Sequence, residues 1–186
     1  MNAPTPATPT PEELERLRFP IGRFKPRSEL SDEERLRSIE EIATLPPRLR
    51  AALAGVPSEV LDTPYRAGGW TVRQVVHHLP DSHLNAYLRF KVAVTEDAPE
   101  VKTYSEAAWA ELADARDEDI EVSLQLLDAL HRRWVTFLRS LTPEQFDRTY
   151  RHPEHGQIPL RSVLQLYAWH GRHHLAHITA VVGGAR

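Results

Sequence analysis

The chain has 186 residues, 26% charged and 41% hydrophobic, with a formal net charge of -3; this suits one soluble globular domain with a substantial core and supplies no broad cationic field for nucleic acid or an anionic membrane. The absence of cysteine excludes disulfides, thiolate metal ligands and a protein-derived thiol nucleophile. No apolar run approaches the roughly 18 residues of a transmembrane helix, and the opening MNAPTPATPTPEE lacks the basic and apolar regions of a signal peptide, so a cytoplasmic protein is expected.

Residues 1–11 are Pro, Thr and Ala without periodicity and read as disordered; the expected boundaries are a tail over 1–18 and a single domain over 19–186. Pro20 to Pro26 suggests an extended arm. Ser31, followed by Asp32, Glu33 and Glu34, predicts a capping box and an acidic first turn. The helix it opens is expected to run to about Leu45, break at Pro46-Pro47 and resume to Gly55. After a loop carrying Pro57, Pro64, Gly68 and Gly69, Thr71 caps a helix that continues to about Val94. Ser105 starts a short helical stretch. A long helix follows from about Glu118 to Leu141, with Val122, Leu126, Leu130, Trp134, Phe137 and Leu141 at helical spacing. Thr142-Pro143-Glu144-Gln145 reads as a cap and first turn. A last helix spans about Leu160 to Val182, ended by Gly183-Gly184. His155 to Leu160 is the one stretch that suggests an extended piece. Four long helices and no strong strand predict an all-α four-helix bundle with short extra helices, a fold that builds metal sites from side chains on facing helices.

Seven of the ten histidines fall in two of these helices, in WTVRQVVHHLPDSH (70–83) and WHGRHHLAH (169–177). His170 and His174 are four residues apart, so both imidazoles share one helical face, and a histidine from another helix can complete a three-nitrogen site with an open position. Phasing at about 100° per residue separates the candidates. On the last helix Val163, Leu166, Tyr167, Ile178 and Val181 mark the apolar stripe; His170, His174 and His177 lie within it and His173 at its edge. On the earlier helix Val72, Val75, Val76, Leu79 and Ala86 mark the buried face. His78 borders it and His83 stays near it, while His77 projects to roughly the opposite side. A single buried histidine is ordinarily a hydrogen-bonded core residue, and a structural polar cluster accounts for the same pattern. Several imidazoles together are costly wherever they protonate, and a metal ion relieves that cost by selecting the neutral form.

The stretch Gly69-Trp70-Thr71-Val72-Arg73-Gln74-Val75-Val76-His77-His78-Leu79, with Asp81-Ser82-His83, resembles the signature of the DinB/YfiT-like superfamily, in particular its YfiT-type metal-dependent hydrolases. The likeness continues through Tyr87, Arg89-Phe90-Lys91, Thr95-Glu96-Asp97, Ala108 to Leu112, and Trp169-His170 to His177-Ile178, begins near Phe19 to Gly22, and covers about 20–182. It implies a four-helix bundle, a homodimer, and one divalent ion per subunit, Zn2+ in first place or Ni2+. The ion would be bound by the histidine eight residues after the Trp, here His78, and by the HxxxH pair, here His170 and His174. Pro80 departs from a regular helix directly after the first of these and is expected to kink it.

An open three-histidine site suits metal-assisted hydrolysis of a small-molecule substrate. Asp81 and Asn85, one and two turns beyond His78, are candidates to orient a ligand or hold water, or are simply a helix-surface carboxylate and amide. His177 is a candidate second-shell partner or general base, or a packed core histidine. Trp70 and Trp169 read as core anchors beside the site. Arg89 reads as one arm of a buried pair or as exposed. Two other functions fit the same residues: a metal-dependent low-molecular-weight thiol S-transferase, whose nucleophile comes from the cosubstrate, and a non-catalytic metal-binding stress-response protein.

Overall fold

A computed structural model of the chain describes residues 9–184. Its elements are α1 (Pro11–Arg18), α2 (Asp32–Leu53), α3 (Ser58–Leu61), α4 (Val72–Thr95), α5 (Glu106–Trp109), α6 (Ala113–Arg116), α7 (Ile120–Ser140), a 3-10 turn (Pro143–Asp147), strands β1 (Thr149–His152) and β2 (Gly156–Pro159), and α8 (Leu160–Gly184). The four long helices, α2, α4, α7 and α8, form a bundle. In it α2 packs on α8 and α7, and α4 packs on α7 and α8. Going round the bundle the order is therefore α2, α8, α4, α7. Two of the three connections between successive long helices, α2 to α4 and α7 to α8, cross a diagonal instead of joining neighbours, whereas simple bundles join neighbours through short loops.

Local chemistry starts these helices where the residues predict. Ser31 caps α2 in a reciprocal capping box with Glu34, and Thr71 caps α4 in the same way with Gln74. Each box satisfies two backbone donors that a helix start would otherwise leave bare. Asp119 caps α7 through the Glu121 amide, and Ser105 caps the short α5.

Several expectations need correction. The expected disordered tail over 1–18 does not describe residues 11–18. Residues 1–8 lie outside the described region, but Pro11–Arg18 is a helix, opened by a capping box between Thr10 and Glu13 with Pro11 in its first turn. Proline is preorganised for that position, and the arm after the helix docks onto α8, with the Phe19 ring 5.9 Å from that of His173. Pro46-Pro47 does not break α2, which runs unbroken from Asp32 to Leu53. Leu45, Pro46 and Leu49 are buried in the bundle, and tertiary packing outweighs the local cost of a lost backbone bond. Pro80 likewise lies inside a continuous α4. α8 extends to Gly184 rather than stopping at Val182. The extended piece near His155–Leu160 is β2, and its partner β1, unforeseen, pairs with it antiparallel from Thr149↔Pro159 to His152↔Gly156. On α7 the buried face is Leu124, Leu127, Leu130, His131, Trp134 and Leu138, whereas Val122 and Leu126 are exposed. A strict i, i+4 series advances about 40° past a full turn at each step on a helix, so three steps back from Trp134 it lies outside the core-facing arc.

α8 crosses α2 closely at Gly171. A Cβ placed at Gly171 would meet Leu45 Cδ2 at 2.7 Å and Leu45 Cδ1 at 3.3 Å. Gly171 therefore lets α8 lie close on α2 one residue after His170, and Leu45 itself is 2% exposed, so it has no free space to move into. Gly171→Ala should destabilise the protein by about 1–2 kcal/mol despite alanine's better helix propensity, read as a lower midpoint in denaturant unfolding; a raised midpoint would show that Leu45 can repack.

Candidate metal centre

α4 and α8 meet with their histidine-bearing faces towards each other. His78 from α4 and His170 and His174 from α8 each offer one ring nitrogen within 4.8 Å of the others'. The Nε2 atoms of His78 and His170 are 3.3 Å apart. The rings of His78 and His174 lie 4.9 Å apart at the centroids, and those of His170 and His174 4.4 Å. Two nitrogens held by one tetrahedral zinc ion, each at about 2.0–2.1 Å, sit roughly 3.3–3.4 Å apart, so the Nε2 pair already has the spacing of two ligands on one ion.

Electrostatics favours the form a metal needs. Burial pushes the His78 imidazole down to about 4. Burial, with repulsion from neighbouring imidazoles, holds His170 and His174 well below the ordinary histidine range. All three are neutral at physiological pH, with a lone pair available for a cation. Trp70 covers the cluster from one side, its ring 4.8 Å from His78 and stacked on His174 at 6.5 Å, which is the anchoring place expected of it. Trp169 stacks on His173 at 4.3 Å.

The other predicted residues separate. His77 stays out of the centre, but it is buried, not projected to solvent. Its Nε2 donates to the Glu118 carbonyl at 3.1 Å and its Nδ1 accepts from the Ser123 hydroxyl at 2.7 Å, so it ties α4 to the start of α7. Asn85 donates to the Asp81 backbone carbonyl at 2.9 Å, which commits its amide to its own helix. Asp81 is half-buried, and desolvation followed by the nearby Asp114 charge raises its carboxyl to about 6. Arg89 donates to the Lys102 carbonyl. His177 is buried beneath Tyr65, stacked at 4.0 Å, and its Nε2 donates to the Leu17 carbonyl of α1 at 3.1 Å. His83, only near the buried face by phasing, is completely buried and hydrogen-bonds at once to His170 and His131.

His131 was not singled out in the sequence. It stands alone in α7, away from both histidine windows, and its signal was its place on the stripe of Leu124, Leu127 and Trp134. Two further trios have ligand atoms this close among the described residues. His173, His174 and His177 share His174 with the first. His152, Glu154 and His155 form the exposed β1–β2 turn, where the His152 Nδ1 is taken up by the Glu154 amide.

The DinB superfamily profile matches residues 41–178, a span that holds all four long bundle helices in whole or part. The chain belongs to the DinB superfamily. Among its DinB relatives, a protein of Bacillus mycoides (strain KBAB4) is 51% identical over 165 residues, covering 89% of this chain and 95% of the relative. One from Bacillus thuringiensis subsp. konkukian (strain 97-27) is 50% identical over the same shares. Both carry metal-dependent hydrolase as an inferred name. YfiT from Bacillus subtilis, described as a probable metal-dependent hydrolase with an unusual four-helix bundle topology, superposes with a TM-score of 0.89 at 47% identity over 91% of this chain and 98% of its own. The diagonal connections of this DinB bundle accord with that description. No helix among the described residues is long and apolar enough to cross a membrane.

The neutral, buried histidines have a consequence for stability. Histidines held below their unfolded value of about 6.5 bind fewer protons folded than unfolded, so their stabilisation is complete above that value and is lost as pH falls towards the folded value. For His131, lowered by burial to about 4, and His78, also at about 4, the window is pH 6.5 down to 4. Metal-free protein should be less stable at pH 5 than at pH 7 by about 1 kcal/mol or more, measured by urea unfolding in the presence of a chelator. Equal stability at the two pH values would mean that these rings are hydrated.

Proposed function

We propose that this DinB protein is a metal-dependent hydrolase of a small-molecule substrate, with His78, His170 and His174 as the ligands of one divalent ion, zinc first and nickel second. The observation that carries this reading is the 3.3 Å spacing of the His78 and His170 Nε2 atoms within a largely buried three-histidine cluster. Three nitrogen ligands leave a position open, and an ion bound there supplies a water of near-neutral pKa and a Lewis acid for a substrate oxygen.

The remaining parts of the reading concern the chain's own groups. Trp70 and the α4–α8 contact keep bulk water from two sides of the histidines, which strengthens polar interactions within. Beside His170 lies a polar band. Tyr167 is 5.4 Å from the His170 ring, its hydroxyl is within hydrogen-bond distance of Ser82 at 3.3 Å, and the buried Tyr104 hydroxyl faces the same serine. Burial drives the Tyr104 phenol above its usual value, so it stays protonated and can donate to a substrate oxygen. Asp81, raised to about 6, is the carboxylate in this neighbourhood suited to exchange a proton near neutral pH.

His78→Ala, His170→Ala and His174→Ala should each lose stoichiometric metal in elemental analysis at pH 7 and lose hydrolysis of an ester, amide or lactone panel. Metal retained in all three variants would remove the ligand assignment. Wild-type protein that holds its ion yet turns over nothing in the panel would remove the hydrolase reading while leaving the site.

A further inference from the structure

Every hydrogen-bonded chain of imidazoles needs an origin, and here two backbone carbonyls supply it. A carbonyl oxygen only accepts, so a ring nitrogen bonded to it must carry the proton, and in a neutral imidazole the other nitrogen must then be bare. His131 Nδ1 lies 2.7 Å from the Ile42 carbonyl, so its Nε2 is an acceptor. That Nε2 is 2.9 Å from His83 Nδ1, which must donate, leaving His83 Nε2 bare. His83 Nε2 is 3.2 Å from His170 Nδ1, which must donate in turn. His170 is thereby left with a bare Nε2, and this is the atom 3.3 Å from His78 Nε2.

A second chain runs from the N-terminal helix. His177 Nε2 donates to the Leu17 carbonyl at 3.1 Å, so its Nδ1 is bare and accepts from His174 Nδ1 at 3.5 Å. His174 too is left with a bare Nε2. The two origins are carbonyls that helix geometry leaves without a backbone partner. Ile42 sits four residues before Pro46, which has no N–H to return to it, and Leu17 lies in the last turn of α1. At each nitrogen–nitrogen link one of the two atoms must be bare to accept, so the contacts themselves require neutral rings along both relays.

We propose that these two relays, Ile42–His131–His83–His170 and Leu17–His177–His174, set the tautomers and ring orientations of both α8 ligands so that each presents a bare Nε2 to the ion. His83, His131 and His177 are positioning residues, acting on the ion only through His170 and His174. The proposal rests on the reading of His170 and His174 as ligands. It also assigns the second trio, His173, His174 and His177, as support for one ion rather than a second site, because a second ion would require both nitrogens of His174 to be bare.

The test uses the full chain loaded with zinc. Long-range 1H–15N correlation spectra of the imidazoles should show zinc bound through Nε2 of His170 and His174 with Nδ1–H on both. His83 and His131 should be Nδ1–H tautomers, His177 should be Nε2–H, and zinc should bind at one equivalent. Coordination through Nδ1, the opposite tautomer at any of the three relay histidines, or a second tight equivalent of zinc would overturn the proposal. If the wild-type protein takes up no zinc, the metal reading fails instead, and the same spectra of the metal-free protein still report whether the relay tautomers are present.

Zinc affinity supplies an independent readout. Partners that orient metal-bound histidines contribute about 10–100-fold to affinity, so His131→Leu and His177→Leu should each weaken zinc binding by at least about 10-fold in chelator competition. His131→Gln, whose amide oxygen can accept from His83 Nδ1–H, should recover most of that loss. A glutamine variant as weak as the leucine variant, with both folded by circular dichroism, would show that His131 only fills space and would overturn its role.

Discussion

A buried imidazole that stays neutral has one donor and one acceptor, and both need partners. The interior of this bundle holds His77, His78, His83, His131, His173, His174 and His177, and that constraint organises much of the rest. Most of the partners are other imidazoles or backbone carbonyls. His77 is satisfied between Ser123 and Glu118 and so belongs to the α4–α7 seam. His83 is satisfied between His131 and His170 and so belongs to the centre. Two adjacent or nearby histidines on one helix thus do different work because different helices offer them partners.

The backbone is arranged to meet this demand. α2 carries two prolines without breaking because its buried face, Ile39, Ile42, Leu45 and Leu49, is held against α7 and α8. The missing amide of Pro46 leaves the Ile42 carbonyl open to His131. On the facing helix Gly171 removes a side chain where Leu45 presses in, so α2 and α8 approach closely between His170 and His174. Proline and glycine, each unfavourable inside an isolated helix, are compatible with their helices here because the tertiary contact uses what they lack. α1 takes part as well. Its last turn covers His177 and Phe19 faces His173, so a short helix outside the bundle closes over the histidine-rich end of α8.

Much of this was legible in the chain. Helical periodicity and capping residues located the four long helices to within a few residues, because caps such as Ser31 and Thr71 act through bonds to amides only three positions away. The same phasing placed His170 and His174 on one face and His78 towards them. It failed where the outcome depended on long-range packing. Pro46-Pro47 looked like a break because the burial that outweighs it comes from other helices. Val122 and Leu126 looked like core because spacing alone does not say which arc of α7 is covered. β1 escaped notice because Thr149–His152 has no alternation to announce it, and pairing with β2 makes the strand.

By itself, then, the sequence determined the helical class, the starts of the long helices and the density of imidazoles on two helix faces, since these follow from residue type and from spacings within one or two turns. The order of helices around the bundle, the burial of His77 against α7 and the recruitment of the isolated His131 were decided only in three dimensions. Sequence spacing describes the geometry of one helix at a time. Which carbonyl or imidazole from outside its own helix completes a buried ring's hydrogen bonds depends on elements 41 to 160 residues apart along the chain, brought together by the burial of apolar surface that all of them share.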